Sequence, residues 1–438
     1  MKVSAVGIYY KDQKKTEEKY FIFASMIDYQ KFTLSNGLRL LFHEDKNTPL
    51  AAINILYDVG ARDEDPSKTG FAHLFEHLMF GGSKNIPSFD EPLQRVGGEN
   101  NAYTNNDHTN YYLTLPVENL ETGLWLESDR MNELAFTTKS LEVQRQVVME
   151  EFKQRYLNQP YGDTWLQFRP LSYKVHPYRW ATIGMELSHI ANATMDDVKD
   201  FFYRYYRPSN AVICVAGNLE ANKVVDLVNK WFGDIPGGTM IPKNIPVEPE
   251  QTERRFLEIT RNVPDDMLYM GFHICGKNDD NIHAWDLMSD VLGRGSSSRL
   301  YHDLVKEKEI FSQVGCYITG DHHPGMLVFS GKIRPGISLE EAEKHLWNHV
   351  ETIKAQVMDE SELAKVKNKT ESGMVFSWMN VLSKATGLCI NELYHDAGEI
   401  NRTLGKYQAV NGPQLQQLAQ RFLNPHQACV LYYRAQQK

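Results

Sequence analysis

Long apolar runs are missing from this chain. No stretch approaches the about 18 consecutive apolar residues that cross a bilayer, so no membrane span is expected. Cysteine is scarce: five in 438 residues, at Cys214, Cys275, Cys316, Cys389 and Cys429. They are far apart, odd in number and form no Cys-x-x-Cys pair, so structural disulfides are not expected. Cys214 and Cys429 lie in short apolar runs and read as buried strand residues. Positive charge is in deficit, with 47 Lys and Arg against 56 Asp and Glu for a formal charge of −9. With no long Lys/Arg block either, nucleic acid is not an expected partner. The N-terminus has no convincing signal peptide, because its apolar run is short and is cut by Lys11, Lys14 and Lys15. The simplest expected location is therefore the cytoplasm, or the periplasm if an export signal has already been removed.

What is present is the composition of a soluble globular protein, 42% hydrophobic and 24% charged. The length exceeds one ordinary core and implies two to four domains. Residues 1–28 read as an N-terminal extension. Residues 29–233 form a first α+β unit, which begins with strand signals on either side of Asn36-Gly37, a tight-hairpin pair. A third strand is expected at 51–59, with Thr69 as candidate cap of the helix that follows it. Residues 234–252 are rich in Pro and Gly and read as a linker. Residues 253–438 repeat the element order of the first unit, so an internal duplication is expected.

The most telling string is His73-Leu74-Phe75-Glu76-His77. Positions 73 and 77 are one helical turn apart, and 76 is three from 73, so all three side chains can face one point. Two neutral imidazoles on a metal and a carboxylate to take a proton are what a zinc-bound water needs. The order is the inverse of the commoner His-Glu-x-x-His. An i,i+4 histidine pair alone is unremarkable among fifteen histidines. Three ionisable groups in an otherwise apolar helix, however, are costly to bury without a partner. The corresponding helix of the second unit carries His283-Ala284-Trp285-Asp286 and lacks the set, so a single zinc per chain is expected.

A catalytic zinc usually takes three protein ligands. The long helical pattern at 141–158 offers Glu142, Glu150 and Glu151. Val143, Val147, Glu150 and Gln154 share one face, and the valines suggest that it points inward. Glu150 is then a carboxylate on a buried stripe and the favoured third ligand, with Glu151 on the solvated side.

The chain resembles the M16 metallopeptidases, the pitrilysin, insulinase and mitochondrial processing peptidase family, over about residues 29 to 433. The resemblance is carried by His73–His77, the turn Met79-Phe80-Gly81-Gly82-Ser83, Gly97-Gly98-Glu99-Asn100-Asn101-Ala102-Tyr103-Thr104, His108–Tyr112, the segment 144–152 and Gly293–Tyr301. It implies a short bacterial-type subunit with two homologous α/β modules of the LuxS/MPP-like metallohydrolase type, each an antiparallel sheet with helices packed on one face. It implies zinc on His73, His77 and Glu150, with Glu76 polarising the water and passing its proton to the leaving amine. It also implies that the strand Asn100, Asn101, Ala102 and Tyr103 pairs with an extended peptide substrate, which suits recognition through the backbone. Cobalt or manganese could occupy the same donor set.

Single-chain and homodimeric relatives carry an Arg and a Tyr, seven residues apart, in the second unit. The matching positions here are Val305 and Ser312. A heterodimer with a homologous Arg/Tyr-bearing subunit is one explanation, and a homodimer is possible. Takeover by Arg299 or Tyr317 is the other. The family often has a further glutamate before the distal ligand, where this chain has Val143 beside Glu142. The competing readings are a non-catalytic scaffold of the same fold, like the core subunits of the bc1 complex, and a hydrolase of small molecules.

Overall fold

The computed structural model describes residues 26–239 and 242–436. Most of the expected N-terminal extension, including the segment searched for a leader, lies outside them. Two sheets organise the molecule. The first holds β1 (Gln30–Thr33), β2 (Arg39–Glu44), β3 (Leu50–Tyr57), β4 (Glu99–Thr104), β5 (Thr109–Pro116) and β6 (Ala211–Gly217) in the order β1-β2-β6-β3-β5-β4. The second holds β7 (Arg255–Arg261), β8 (Met267–His273), β9 (Phe311–Ile318), β10 (Met326–Ile333) and β11 (Ala428–Ala435) in the order β7-β11-β8-β10-β9. Without β1, the two orders are the same permutation of the chain. β6 runs parallel to β2, as β11 does to β7, and the other neighbours are antiparallel. The duplication expected from element order is present in the topology. The sheets, expected to be antiparallel, are mixed, because in each unit the last strand returns through a long excursion and inserts beside the first.

Helices were expected on one face of each sheet, and this too is corrected. Along β6, Ala211, Ile213 and Val215 face the main core of the first lobe, while Val212, Cys214 and Ala216 face the opposite side. That second face is covered by the helix Val381–Tyr394 from the second half of the chain, through Val381, Ala385, Leu388 and Cys389. The exchange is mutual: the helix Thr164–Ser172 from the first half places Phe168 on the outer face of the second sheet, against Met326, Val328, Cys429 and Leu431. A strand buried on both faces has no polar side to alternate, which is why Ala211–Ala216 is a continuous apolar run.

The two lobes also meet where their hairpins touch. Asn106 Nδ2, between β4 and β5, donates to Asp321 Oδ1, between β9 and β10, at 2.6 Å. The backbone N–H of His322 donates to Asp107 Oδ2 at 2.9 Å. Asp107 is held in turn by Arg62 Nη1 at 2.8 Å. Among the described residues no helix is long and apolar enough to cross a membrane.

Candidate metal centre

The helix Phe71–Leu78 buries Phe71, Ala72, Leu74, Phe75 and Leu78 and leaves His73, Glu76 and His77 half-buried on its remaining face. Apolar residues therefore fix how the helix is rotated, and the three polar ones are aimed by default. Phe75 stacks on Phe201 at 4.8 Å between ring centres, and its carbonyl accepts from the Tyr111 hydroxyl at 3.3 Å. Thr69 is not the cap. Its hydroxyl pairs with His189 Nδ1 at 2.8 Å and accepts from the N–H of Met185, and the N-cap position is Gly70.

The third side chain comes from the helix Thr138–Phe152. There the structure departs from the reading that favoured Glu150. Val143 and Val147 are 48% and 43% exposed, so their stripe faces outward. Glu150 lies on it, with its side chain 55% exposed and paired to Lys153 Nζ at 2.6 Å. The buried residues of the helix are Leu141, Val148 and Phe152. Glu151, one position and about 100° further round, turns inward. Its Oε2 is 3.6 Å from His73 Nε2 and 3.4 Å from His77 Nε2. Its other oxygen takes an ion pair from Arg155 at 2.8 Å. Two stripes were compatible with the sequence. The larger Leu141 and Phe152 beside Val148 were the signal for the correct one. With Glu151 as reference, Gln144 falls seven residues earlier, and Val143 no longer marks the position of the additional family glutamate.

His73, His77 and Glu151 are, among the described residues, the one group of three side chains placed to hold a metal, with ligand atoms all within 4.8 Å of one another. Burial pushes the His73 imidazole down to about 4, so it is neutral and free to bind through Nε2. The His77 hydrogen bond is the largest influence holding Glu151 below the usual carboxylate range. Burial raises the Glu76 carboxyl, with Thr104 of β4 and His77 pulling it back. Two imidazole nitrogens and one carboxylate oxygen make the donor set of a catalytic zinc.

Strand β4 borders this centre and, among the described residues, forms the edge of its sheet, paired with β5 alone. Asn101 is exposed, whereas Asn100, Ala102 and Tyr103 are half-buried. The Asn100 amide donates to Asp90 Oδ1 at 2.8 Å, and Asn101 Oδ1 accepts from the N–H of Ala102 at 2.8 Å. In the second lobe Val305 is buried in the core, and Ser312 is exposed on β9, donating to the Lys332 carbonyl at 3.2 Å. Arg299 is committed to Glu362, with Nε to Oε1 at 3.0 Å and Nη2 to Oε2 at 2.6 Å. Tyr317 is exposed on β9.

A His-His-Glu cluster with a half-buried carboxylate beside it, on a duplicated α+β fold, defines a metal-dependent hydrolase. Comparison with known proteins narrows the class. Residues 39–161 match the family model described as insulinase (peptidase family M16), and residues 192–370 match the model described as the peptidase M16 inactive domain. The zinc protease PqqE of Helicobacter pylori is 32% identical over 346 residues, covering 77% of this chain and 78% of the relative. An uncharacterised zinc protease of Bacillus subtilis, YmxG, is 25% identical over 92% of this chain and 97% of its own. A crystal structure of a Helicobacter pylori protease superposes with a TM-score of 0.87 at 28% identity, over 93% of this chain and 99% of that one. The chain belongs to the M16 family of metallopeptidases, as a short subunit of the bacterial type.

The expected cytoplasmic location does not stand. The solved structures that share the fold include the periplasmic protease PqqL of Escherichia coli, with a TM-score of 0.75 at 19% identity over 92% of this chain and 47% of that one. That relative carries the same fold in the periplasm, so the fold gives no ground for a cytoplasmic location.

Proposed function

We propose that this chain is the zinc-bearing subunit of an endopeptidase that cuts peptides or unfolded segments. The observation that carries the reading is the convergence of His73, His77 and Glu151 beside Glu76 and below an open edge strand. His73, His77 and Glu151 hold one zinc ion. When bound, the ion supplies Lewis acidity, which makes water a nucleophile near neutral pH and polarises a peptide carbonyl. Glu76 takes the proton from the attacking water and delivers it to the leaving amide nitrogen. Its raised affinity for protons, set by burial, suits both transfers. The edge of β4 from Asn100 to Tyr103 pairs with the extended substrate, which accepts many sequences through backbone hydrogen bonds. The fold is assigned to the LuxS/MPP-like metallohydrolase type.

Among the described residues, the two second-lobe positions that match the family Arg and Tyr are Val305 and Ser312. Val305 offers no polar atom, Ser312 is turned to a backbone carbonyl, and Arg299 is held by Glu362. The proposal therefore includes a homologous subunit that supplies an Arg and a Tyr. The test is cleavage of an unstructured peptide by the purified chain, alone and mixed with its Arg/Tyr-bearing homologue, with Glu76→Gln as control. Activity in the mixture alone, abolished by the substitution, supports the split site. Full activity of the isolated chain removes the partner from the proposal. Zinc binding without cleavage in either preparation favours the scaffold reading.

A further inference from the structure

Glu64 is buried, and the chemistry above makes no use of it. Among the described residues its carboxylate has no paired Lys, Arg or His. It accepts three neutral N–H groups instead: Gly70 N to Oε2 at 2.9 Å, Ala72 N to Oε1 at 2.8 Å, and the Trp180 indole Nε1 to Oε2 at 3.1 Å. Two of the donors are at the N-terminus of the helix Phe71–Leu78. The first N–H groups of any helix have no partner within it. Here the N-cap residue cannot provide one: Gly70 sits at φ +88°, and a Cβ there would meet the Ile183 carbonyl at 2.6 Å. A carboxyl group six residues upstream takes over the role of a cap, its two oxygens accepting the N–H groups of Gly70 and Ala72, while burial pushes the Glu64 carboxyl up to about 8.

Glu64 is itself braced. It follows the turn Ala61–Asp63, whose backbone bonds into the hairpin after β4: Ala61 N to the Asn105 carbonyl at 3.1 Å, and Arg62 N to the Asn106 carbonyl at 2.8 Å. The Trp180 indole, besides reaching Glu64, donates to the Ala61 carbonyl at 2.9 Å. The helix that carries the metal-binding histidines is thereby fixed to the same turn that is fixed to the edge strand. His73 is three residues from Gly70 and one from Ala72, so a loosened first turn moves it directly.

We propose that Glu64 is a positioning residue that caps the helix of His73, Glu76 and His77 and sets it against β4, with Trp180 holding the Glu64 carboxylate in place. The importance of that setting rests on the metal and edge-strand reading above. The capping itself does not.

The test uses the full chain with Glu64→Gln and Trp180→Phe. In Glu64→Gln an amide NH₂ replaces one acceptor and faces a backbone N–H. Residue-resolved amide exchange on the metal-free chain is expected to speed up about tenfold or more at Ala72 to Glu76, with β6 unchanged. Competition with a chelator is expected to show zinc bound about tenfold more weakly. Trp180→Phe removes the indole N–H together with the pyrrole half of a buried ring, so the same changes are expected in smaller degree at Ala72 to Glu76, with exchange in β6 reporting the separate cost of the cavity. Unaltered exchange at Ala72 to Glu76 in both variants overturns the proposal, as does an equal acceleration in β6, which marks general destabilisation. If the parent chain binds no zinc, the metal reading fails, while the exchange comparison still decides whether Glu64 caps the helix.

Discussion

His77 Nε2 and Glu151 Oε2, on separate helices 74 positions apart in the sequence, stand 3.4 Å from each other. Glu151 thus takes the place expected of its neighbour Glu150. The pair gives a sharp contrast between adjacent residues. Glu151→Gln is expected to weaken zinc binding by more than the roughly 10–100-fold that loss of an outer-shell partner costs. Glu150→Gln removes an exposed pair with Lys153, of a kind contributing about 0–1 kcal/mol, and is expected to leave zinc affinity within about twofold. Competition against a chromophoric chelator measures both. Equal losses would return Glu150 to the metal.

Glu76 holds no position among the three clustered ligand atoms, so its loss separates binding from turnover. Glu76→Gln is expected to retain zinc and lose about 10²–10⁴-fold in kcat, with the metal content read by atomic absorption. Loss of the metal together with activity would make Glu76 a structural part of the centre.

The motif helix and the hairpin at Asn36-Gly37 were legible because each depends on short-range spacing. His73, Glu76 and His77 are brought together by one helical turn, and Gly37 sits at φ +87° between β1 and β2. The distal ligand was not legible in the same way. Val143 and Val147 mark one face, Leu141, Val148 and Phe152 a more apolar one, and the two lie close enough round the helix that the packing partner fixes which adjacent glutamate turns inward. The covering of each sheet by a helix from the other half was hidden for a related reason. Residues such as Leu388 and Phe168 announce burial but not against which lobe. Glu64 stood outside any motif, and its role emerges from hydrogen bonds to backbone, to which residue type gives no clue.

Protons compete with metal for the cluster. Burial holds His73 neutral to about pH 4, so this ligand requires no deprotonation at pH 6. Zinc loss on acidification is therefore expected to be late at His73, and His73→Gln to weaken binding at all pH values rather than to shift its acid limb alone. Titration of bound zinc from pH 8 to pH 4 in parent and variant checks this. A parent chain that sheds zinc with a midpoint near 6.5 would show His73 to be more accessible to solvent than its packing implies.

The seam between the lobes carries its own acid response. His108, His176 and His322 lie there, pushed down by burial to about 3, about 4 and about 4 respectively. His108 Nδ1 is paired with the Tyr394 hydroxyl at 2.6 Å, His176 Nε2 with His323 Nδ1 at 3.1 Å, and the His322 ring stacks on Tyr394 at 4.2 Å. In the unfolded chain each takes up a proton near pH 6.5. Between that value and pH 4 the unfolded state binds more protons, so stability falls as pH falls. The contribution is fully present above about 6.5 and declines by up to about 1.4 kcal/mol per pH unit for each group. Asp321, raised by burial, acts in the opposite direction and reduces the slope. His322→Phe keeps a ring on Tyr394 and removes one titrating group whose Nδ1 has no hydrogen-bond partner. The variant is expected to match the parent at pH 8 and to be the more stable of the two at pH 5, as read from urea midpoints at each pH. Parallel acid limbs would mean that the His322 ring is protonated in the folded protein, and that the seam opens to water before the lobes unfold.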